Sequence, residues 1–353
     1  MQKLNYNVIG VMSGTSLDGI DLAHIEFTYQ NKKWNYKLLE CETIAYPLEW
    51  LNILKIAVDF SDEQLLILDK NYTSLLASAI NTFIKKHKLS NIDAVCSHGH
   101  TIKHEPENSY TLQIGNLPII SELINQKVVC NFRVQDVKLG GQGAPLVPIG
   151  DKLLFSNYTY CLNLGGFSNI SFENNTKRVA FDICPVNTVL NFYANKIGLD
   201  FDNEGKIAQT GNINQQLFKE LNNLEFYTLF KPKSLGFEFV KNTIIPIIEG
   251  YKLETKDILC TFIEHIACQI SKIIELKNSS ILITGGGVFN TFLIKRIKFY
   301  IPNTSIELNN KKTIEYKEAL IFGLLGVLRL ENKVNVLSSV TGASKDHSSG
   351  EIY

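Results

Sequence analysis

The pattern of apolar and polar positions divides the chain into two similar halves. An apolar run at residues 8–11 gives way to Ser13, Gly14, Thr15, Ser16 and Gly19, and residues 21–27 then alternate polar and apolar. That pattern predicts a strand, a tight polar turn and a returning strand. Residues 34–46 alternate enough to form a third strand of the same antiparallel meander. A capping box of Ser61 with Gln64 opens a helix, along which Leu65, Leu68, Leu75, Leu76, Ala79, Ile80 and Phe83 keep the helical period. Residues 92–97 predict a short buried strand running into the polar segment HGHTIKHEP. Residues 110–114 and 127–132 predict further strands around a short helix near 118–125.

The stretch VKLGGQGAPLVP at residues 137–148 is rich in glycine and proline and is the expected crossover between halves. Immediately after it the pattern restarts. Residues 158–164 are apolar, Gly165, Gly166, Ser168 and Asn169 form a small polar turn, and residues 170–172 return. The echo is displaced by roughly 150 residues, the size of one domain. Residues 178–183 are expected to form the next strand, ending at Asp182. Helices follow at 188–197, at 212–224 and along the apolar stripe from Ile258 to Ile273. An apolar strand at 280–284 ends in Gly285, Gly286 and Gly287, with a helix at 290–298 behind it. Residues 316–330 are apolar nearly all round, which predicts a helix buried or wedged between domains.

Two meanders, each followed by helices and parallel-type strands, predict a duplicated α/β architecture whose two domains flank a cleft. The expected division is 1–135, joined by the tail at 336–353, and 136–335. Both small-residue turns would face the cleft.

Composition narrows the function classes. The 353 residues carry no net formal charge, and lysine and arginine are dispersed, which argues against a nucleic-acid footprint or a membrane-surface patch. Seven cysteines without a CxxC pair read as reduced, mostly buried thiols of a cytoplasmic protein. The first strand follows the start almost at once, so no signal peptide is expected. The longest apolar run, 319–328, is well short of the roughly 20 residues that span a bilayer.

Several residue types carry candidate chemistry. The first turn aims backbone N–H groups and hydroxyls into one concavity suited to a phosphate, and Asp18, expected to be buried, would anchor a hydrated magnesium ion. The alternative is an ordinary hairpin loop. Gly285–Gly287 does not make a dinucleotide fingerprint, because Asn290 stands where the third glycine belongs. Either bare backbone lets adenosine approach there, or the glycines form a plain tight turn. Asp182, at a strand end, is a candidate general base or a turn cap. His98, His100 and His104 could ligate a metal with Glu105 as the only local carboxylate, grip a sugar, or lie on a solvated loop. Arg133 and Asp136 could pair at the surface, or Arg133 could bind a carboxylate or phosphate.

Taken in order, MSGTSLDGID, SHGHTIKHEP, TLQIGN, NFRVQDVKLGGQGAPLVP, LNLGGFSNIS, FDICPVN, TGGGVFN, KEAL and VTGA resemble the bacterial anhydro-N-acetylmuramic acid kinases along essentially the whole chain. GGQGAPLVP at 140–148 is unusually specific. The resemblance implies the duplicated actin-like, ribonuclease H-like ATPase fold and a cytoplasmic enzyme of cell-wall recycling. Its cofactors would be ATP and Mg2+, its partner an amino sugar rather than nucleic acid or membrane, and its assembly a homodimer. The implied reaction phosphorylates O6 of 1,6-anhydro-N-acetylmuramic acid while water opens the anhydro ring.

By the same resemblance, Asp182 matches the catalytic aspartate. Gly14, Thr15, Ser16, Asp18, Gly19, Gly165, Gly166, Gly285, Gly286 and Gly287 match nucleotide contacts, with Mg2+ held by Asp18 through water. Thr101, His104, Arg133, Asp136, Asn187 and Glu318 match the sugar side, Arg133 reading the lactyl carboxylate. The sequence departs from the family at His100, usually Gln, and at Asn131, usually Asp. Ile183, Cys184 and Val186 replace Thr, Gly and Gly of FDTGPGN. Those changes motivate two alternatives, a kinase for another sugar and a nucleotide-binding regulatory protein without catalysis.

Overall fold

The computed structural model describes residues 4–14, 17–229, 233–276 and 278–353. The chain divides into two compact units, Met1–Leu154 with Tyr316–Tyr353, and Phe155–Glu315.

The first unit is built on strands β1 (Asn5–Ser13), β2 (Ile20–Gln30), β3 (Lys33–Ile44), β4 (Ala94–Glu105), β5 (Tyr110–Ile114) and β6 (Val128–Cys130). β1, β2 and β3 form the antiparallel meander, and β4 and then β6 add in parallel on the other side of β1. β5 hairpins back on β4, and the terminal Glu351–Ile352 pairs with β6. β1 is buried along nearly its whole length, so both of its faces must be apolar, whereas edge strand β3 alternates. The helix Asp62–Lys86 covers one face, and its N-terminus carries the expected capping box of Ser61 and Gln64. Tyr72, Leu76, Ile80 and Phe83 of that helix pack into the same core as Ile9, Val11 and Val95.

The second unit has β7 (Tyr160–Leu164), β8 (Phe167–Asn174), β9 (Lys177–Pro185), β10 (Ser280–Thr284) and β11 (Ser305–Leu308) in the order β11-β10-β7-β8-β9. Again the first three are an antiparallel meander, and β10 and β11 extend it in parallel. The helix Thr255–Ser271 buries Ile258, Phe262, Ile263, Ile266 and Ile270 against it. One strand order, β3-β2-β1-β4-β6, is thus repeated as β9-β8-β7-β10-β11. This is the duplicated actin-like, ribonuclease H-like plan.

The boundaries differ from those expected at 135/136 and 335/336. Residues 137–148 do not cross between halves. Val137, Leu146 and Ile149 are buried in the first unit, where the amide of Gln142 donates to the carbonyl of Thr341 and that of Ser344 to Leu139. The return passage lies inside the helix Lys311–Leu330, whose backbone leaves helical geometry at Tyr316. Beyond that point the helix lies directly on the first sheet. A Cβ on Gly10 would sit 1.9 Å from the carbonyl oxygen of Ala319, and one on Gly326 2.1 Å from the sulfur of Cys96. Only small residues permit so close an approach of helix to strand. The stretch 316–330 is therefore apolar all round because it is core of the first unit.

The polar segment HGHTIKHE also proves to be strand, the second half of β4. Its partner β5 satisfies the backbone there, so polar side chains do not force a loop. Among the described residues no helix is long and apolar enough to cross a membrane. All seven cysteines are free.

Candidate active site

In the first unit, β1 ends at Ser13 and β2 begins at Ile20, with the polar turn between them. Leu17 takes a positive φ of 62° and its amide donates to the carbonyl of Gly14 at 3.2 Å. Thr15 and Ser16 lie outside the described residues. Ser13 ends a directed hydroxyl chain. The carbonyl of Gly99 only accepts, so Ser13 donates to it (2.9 Å), Tyr72 donates to Ser13 (2.9 Å) and Tyr46 is left to donate to Tyr72 (2.6 Å). Asp18 is not the buried carboxylate expected; it is exposed in the turn between β1 and β2.

β4 runs beside β1 and contains the device that arranges the other candidates. Gly99 has φ of 75°, and a Cβ there would lie 2.6 Å from the carbonyl oxygen of Ile114. The register against β1 slips at the same place. The slip interrupts the in-and-out alternation of the strand. His98 faces Phe322 on one side (ring centroids 4.7 Å), whereas His100 faces Tyr72 on the other (5.8 Å).

On the His98 side a set of polar contacts runs from residue to residue. Arg133 Nε donates to His98 Nε2 at 2.8 Å and its Nη1 to the carbonyl of Gly143 at 2.6 Å. Since arginine only donates, His98 Nε2 must accept, and its Nδ1–H then donates to the carbonyl of Gly99 at 2.7 Å. Burial and the neighbouring guanidinium hold His98 well below the usual histidine range, so it is neutral. Both of its nitrogens are used within the protein, which removes it as a metal ligand. Among the described residues no group of three His, Cys, Asp or Glu could hold a metal ion. His104 lies beside Gly143, and its Nδ1 is 3.0 Å from Thr111 Oγ1. Gln113 Nε2 reaches Thr111 Oγ1 at 2.8 Å and, more weakly, Thr101 Oγ1 at 3.4 Å.

Burial pushes Arg133 down to about 10, against the pull of Glu318 and Asp136. Its Nη2 has no hydrogen-bond partner among the described residues, leaving that edge of the guanidinium for an anion. Glu318 is exposed, yet desolvation pushes its carboxyl up, opposed by Arg133 and Lys317. Asp136 departs from expectation. It is fully buried, with Oδ2 accepting from the amide of Gly143 (2.7 Å) and Oδ1 from Thr341 Oγ1 (2.7 Å). Those contacts make it the clamp of the loop that anchors Arg133, with no face left for a ligand.

In the second unit two glycine turns lie side by side at the carboxyl ends of the parallel neighbours β7 and β10. Amides of Val186 and Thr188 donate to the carbonyl of Gly166, and that of Asn187 to Gly165. Asn187 opens the helix Asn187–Asn195, and its Nδ2 donates to the carbonyl of Leu164 at 3.3 Å. Gly285 has φ of 86°, and a Cβ there would meet Asn163 Oδ1 at 2.6 Å and the carbonyl oxygen of Leu164 at 2.7 Å. The result is a bare backbone cradle at the strand ends, where open α/β sheets bind ligands. Asn290, which broke the dinucleotide fingerprint, has a structural role. It caps the helix Thr291–Tyr300, Oδ1 accepting from the amide of Leu293 at 2.9 Å.

Asp182 lies within β9 rather than at its end. Asn169 faces Asp182 and Ser168 faces Cys184, so Ile183 is the extra residue of a bulge. Bulges of this kind re-aim a side chain beside an active site. The amide of Asp182 donates to the carbonyl of Lys233 (2.9 Å), and Oδ2 accepts from the amide of Leu235 (2.8 Å). Desolvation raises the Asp182 pKa; the bonds from Leu235 and Ser234 partly oppose it. The holding segment 233–235 has no periodic pattern that would have marked it in the sequence. Ile183, Cys184 and Val186, the departures from the family motif, are all buried in the core of this unit.

A duplicated meander fold with glycine turns at its strand ends and a desolvated carboxylate on a bulge defines a phosphotransferase of the actin-like class. The family described as anhydro-N-acetylmuramic acid kinase matches residues 6–353. An anhydro-N-acetylmuramic acid kinase of Pseudomonas fluorescens is 34% identical over 98% of this chain and 98% of its own. One of Pasteurella multocida is 32% identical over 100% and 98%. The solved (R)-2-hydroxyglutaryl-CoA dehydratase component A of Acidaminococcus fermentans has a TM-score of 0.49 at 11% identity, covering 92% of this chain and 99% of that one. The chain belongs to the anhydro-N-acetylmuramic acid kinase family.

Proposed function

We propose that this chain opens and phosphorylates 1,6-anhydro-N-acetylmuramic acid with ATP, giving N-acetylmuramic acid 6-phosphate and ADP in the recycling of peptidoglycan. The family match along residues 6–353 carries the reading. Asp182, held by Leu235 and desolvated, takes a proton from the water that attacks C1. The C1–O6 bond breaks, and its electron pair leaves O6 as the nucleophile for the γ-phosphorus. The bridge opening thus generates the acceptor oxygen, so no second base is required at O6.

The glycine cradle at 165–166 and 285–287 fits a nucleotide: Gly285 and Gly287 let the second turn pack against Asn163 and Leu164, where a Cβ would collide, and Gly286 leaves open space over bare backbone. The first turn, from Gly14 to Gly19, takes the phosphates. Asp18, exposed in that turn, fits a magnesium ion held through water, and such an ion would neutralise the phosphate charge. Arg133 reads the lactyl carboxylate with its remaining guanidinium edge, and Thr101, His104, Glu318 and Asn187 contact the sugar. The protein acts in the cytoplasm as a homodimer. The buried placement of Ile183, Cys184 and Val186 disfavours a changed sugar, because their side chains point into the core.

Coupled ADP release with the anhydro sugar, followed by mass spectrometry in 18O-water, tests the reading. The expected product carries the label at C1 and none in the phosphate. Absence of ADP release at saturating sugar and magnesium-ATP overturns it. A second expectation concerns the cradle. Gly285→Ala forces a side chain into a positive φ and onto Leu164, a strain of about 1–3 kcal/mol. The ATP KM should rise about tenfold with the sugar KM unchanged, since the strain falls on the adenosine side only.

A further inference from the structure

We infer that Gln113 is a specificity-determining residue of the sugar site, its amide oxygen accepting a hydrogen bond from the acetamido N–H or a ring hydroxyl of the substrate. The inference rests on the kinase reading above and names a contact within it.

Gln113 is only 5% exposed, yet its Oε1 has no hydrogen-bond partner, while its Nε2 is engaged with Thr111 and Thr101. A buried amide oxygen left without a donor is costly, so such an atom in a native fold needs an explanation. Turning the amide over does not remove the problem. Oε1 would then accept from Thr111, and a buried N–H would be left in its place.

The position of the orphan atom points to a ligand rather than to a packing defect. Thr101 faces Gln113 across the β4–β5 ladder, and His104 faces Thr111. Gln113 and Thr111 lie two residues apart on β5, so they share one face of the ribbon. That face continues through His104 to Gly143 and so to Arg133. The intervening Leu112 and the next residue, Ile114, point the other way into the core with Tyr72 and Leu76. The ribbon face therefore carries a neutral acceptor and adjoins, through His104 and Gly143, the cation for the carboxylate. That combination suits an amino sugar bearing an acid side chain, and a site built around a buried acceptor discriminates against ligands that lack the donor.

The test uses the whole enzyme with Gln113→Leu and Gln113→Glu, reading sugar KM, ATP KM and melting temperature. For Gln113→Leu the sugar KM should rise about tenfold, the ATP KM should stay put, and the apo protein should melt no lower than the parent, because no orphan oxygen remains. Gln113→Glu keeps the acceptor and should recover most of the sugar affinity. The anhydro sugar without its N-acetyl group identifies the donor: an equal penalty for both sugars assigns a hydroxyl, and a penalty confined to the acetylated sugar assigns the acetamido N–H. A sugar KM within twofold of the parent in Gln113→Leu overturns the inference, as does a lowered melting temperature with unchanged sugar affinity. A parent protein that releases no ADP would instead sink the kinase reading itself.

Discussion

Asp182→Asn is expected to lower kcat by about a thousandfold, within the range lost with a general base, while ATP and sugar KM change little. The side chains are nearly isosteric, and an amide oxygen still accepts from the amide of Leu235, so the bulge and the loop 233–235 should stay in place. What disappears is the lone pair that receives the proton of the attacking water. The pH profile supplies a separate check. Desolvation raises the Asp182 pKa, and the base works only when ionised, so activity should fall as pH drops through that raised value. The acid limb of kcat/KM therefore lies at higher pH than an unperturbed aspartate would give. Residual activity in Asp182→Asn should lack this limb. If the variant keeps more than about a tenth of parental kcat, another group is the base, since loss of general-base catalysis alone exceeds that.

The duplication was legible because burial on both faces writes itself into composition. β1 and β10 are central strands covered on both sides and read as continuous apolar runs, and the meanders that lead from β1 and β7 alternate. Hidden from that pattern was the extent of each unit. Residues 137–148 carry the glycine and proline of a linker, but their fold is fixed by hydrogen bonds to residues 341–344, about two hundred positions away along the chain. The second half of β4, a polar segment without a strand pattern, was hidden for a related reason. Periodicity reports which side chains are buried in apolar surroundings, and a strand lined by site residues has few of those.

Among the candidates, the glycines stand out in the sequence because their chemistry is local: a positive φ at Gly285 depends on neighbours in sequence. The bulge and the segment 233–235 that hold Asp182 do not show there. Asp18 and Asp136 are further cases. Both are aspartates near glycines, yet one is exposed and the other wholly buried, enclosed by Gly143 and by Thr341 from far along the chain. The neutral tautomer of His98 is readable only once Arg133 is seen to donate to it. The orphan oxygen of Gln113 is likewise a property of its surroundings, and the motif TLQIGN does not disclose it.

The second large effect is expected at Asp136, in stability rather than in chemistry. Asp136→Ala leaves the buried amide of Gly143 without an acceptor and the hydroxyl of Thr341 with only its weaker bond to the carbonyl of Leu337 at 3.4 Å. At roughly 1–3 kcal/mol for the orphaned amide and less for the weakened hydroxyl, the first unit should lose about 2 kcal/mol and melt several degrees lower. The damage should reach ligand binding through one route. The carbonyl of Gly143 holds Arg133 Nη1, so loosening residues 140–143 frees the guanidinium and raises the sugar KM. Arg133→Lys separates the two contributions. It loses the planar anion-binding fork but keeps the clamp and a cationic donor beside His98 and Gly143, so it should raise the sugar KM with less loss of melting temperature. Denaturation of both variants, with and without saturating sugar, makes the comparison. An Asp136→Ala protein that melts like the parent and yet fails to bind sugar would restore the direct contact expected from sequence. With both oxygens of Asp136 occupied within the fold, lost stability should come first and lost affinity should follow from it.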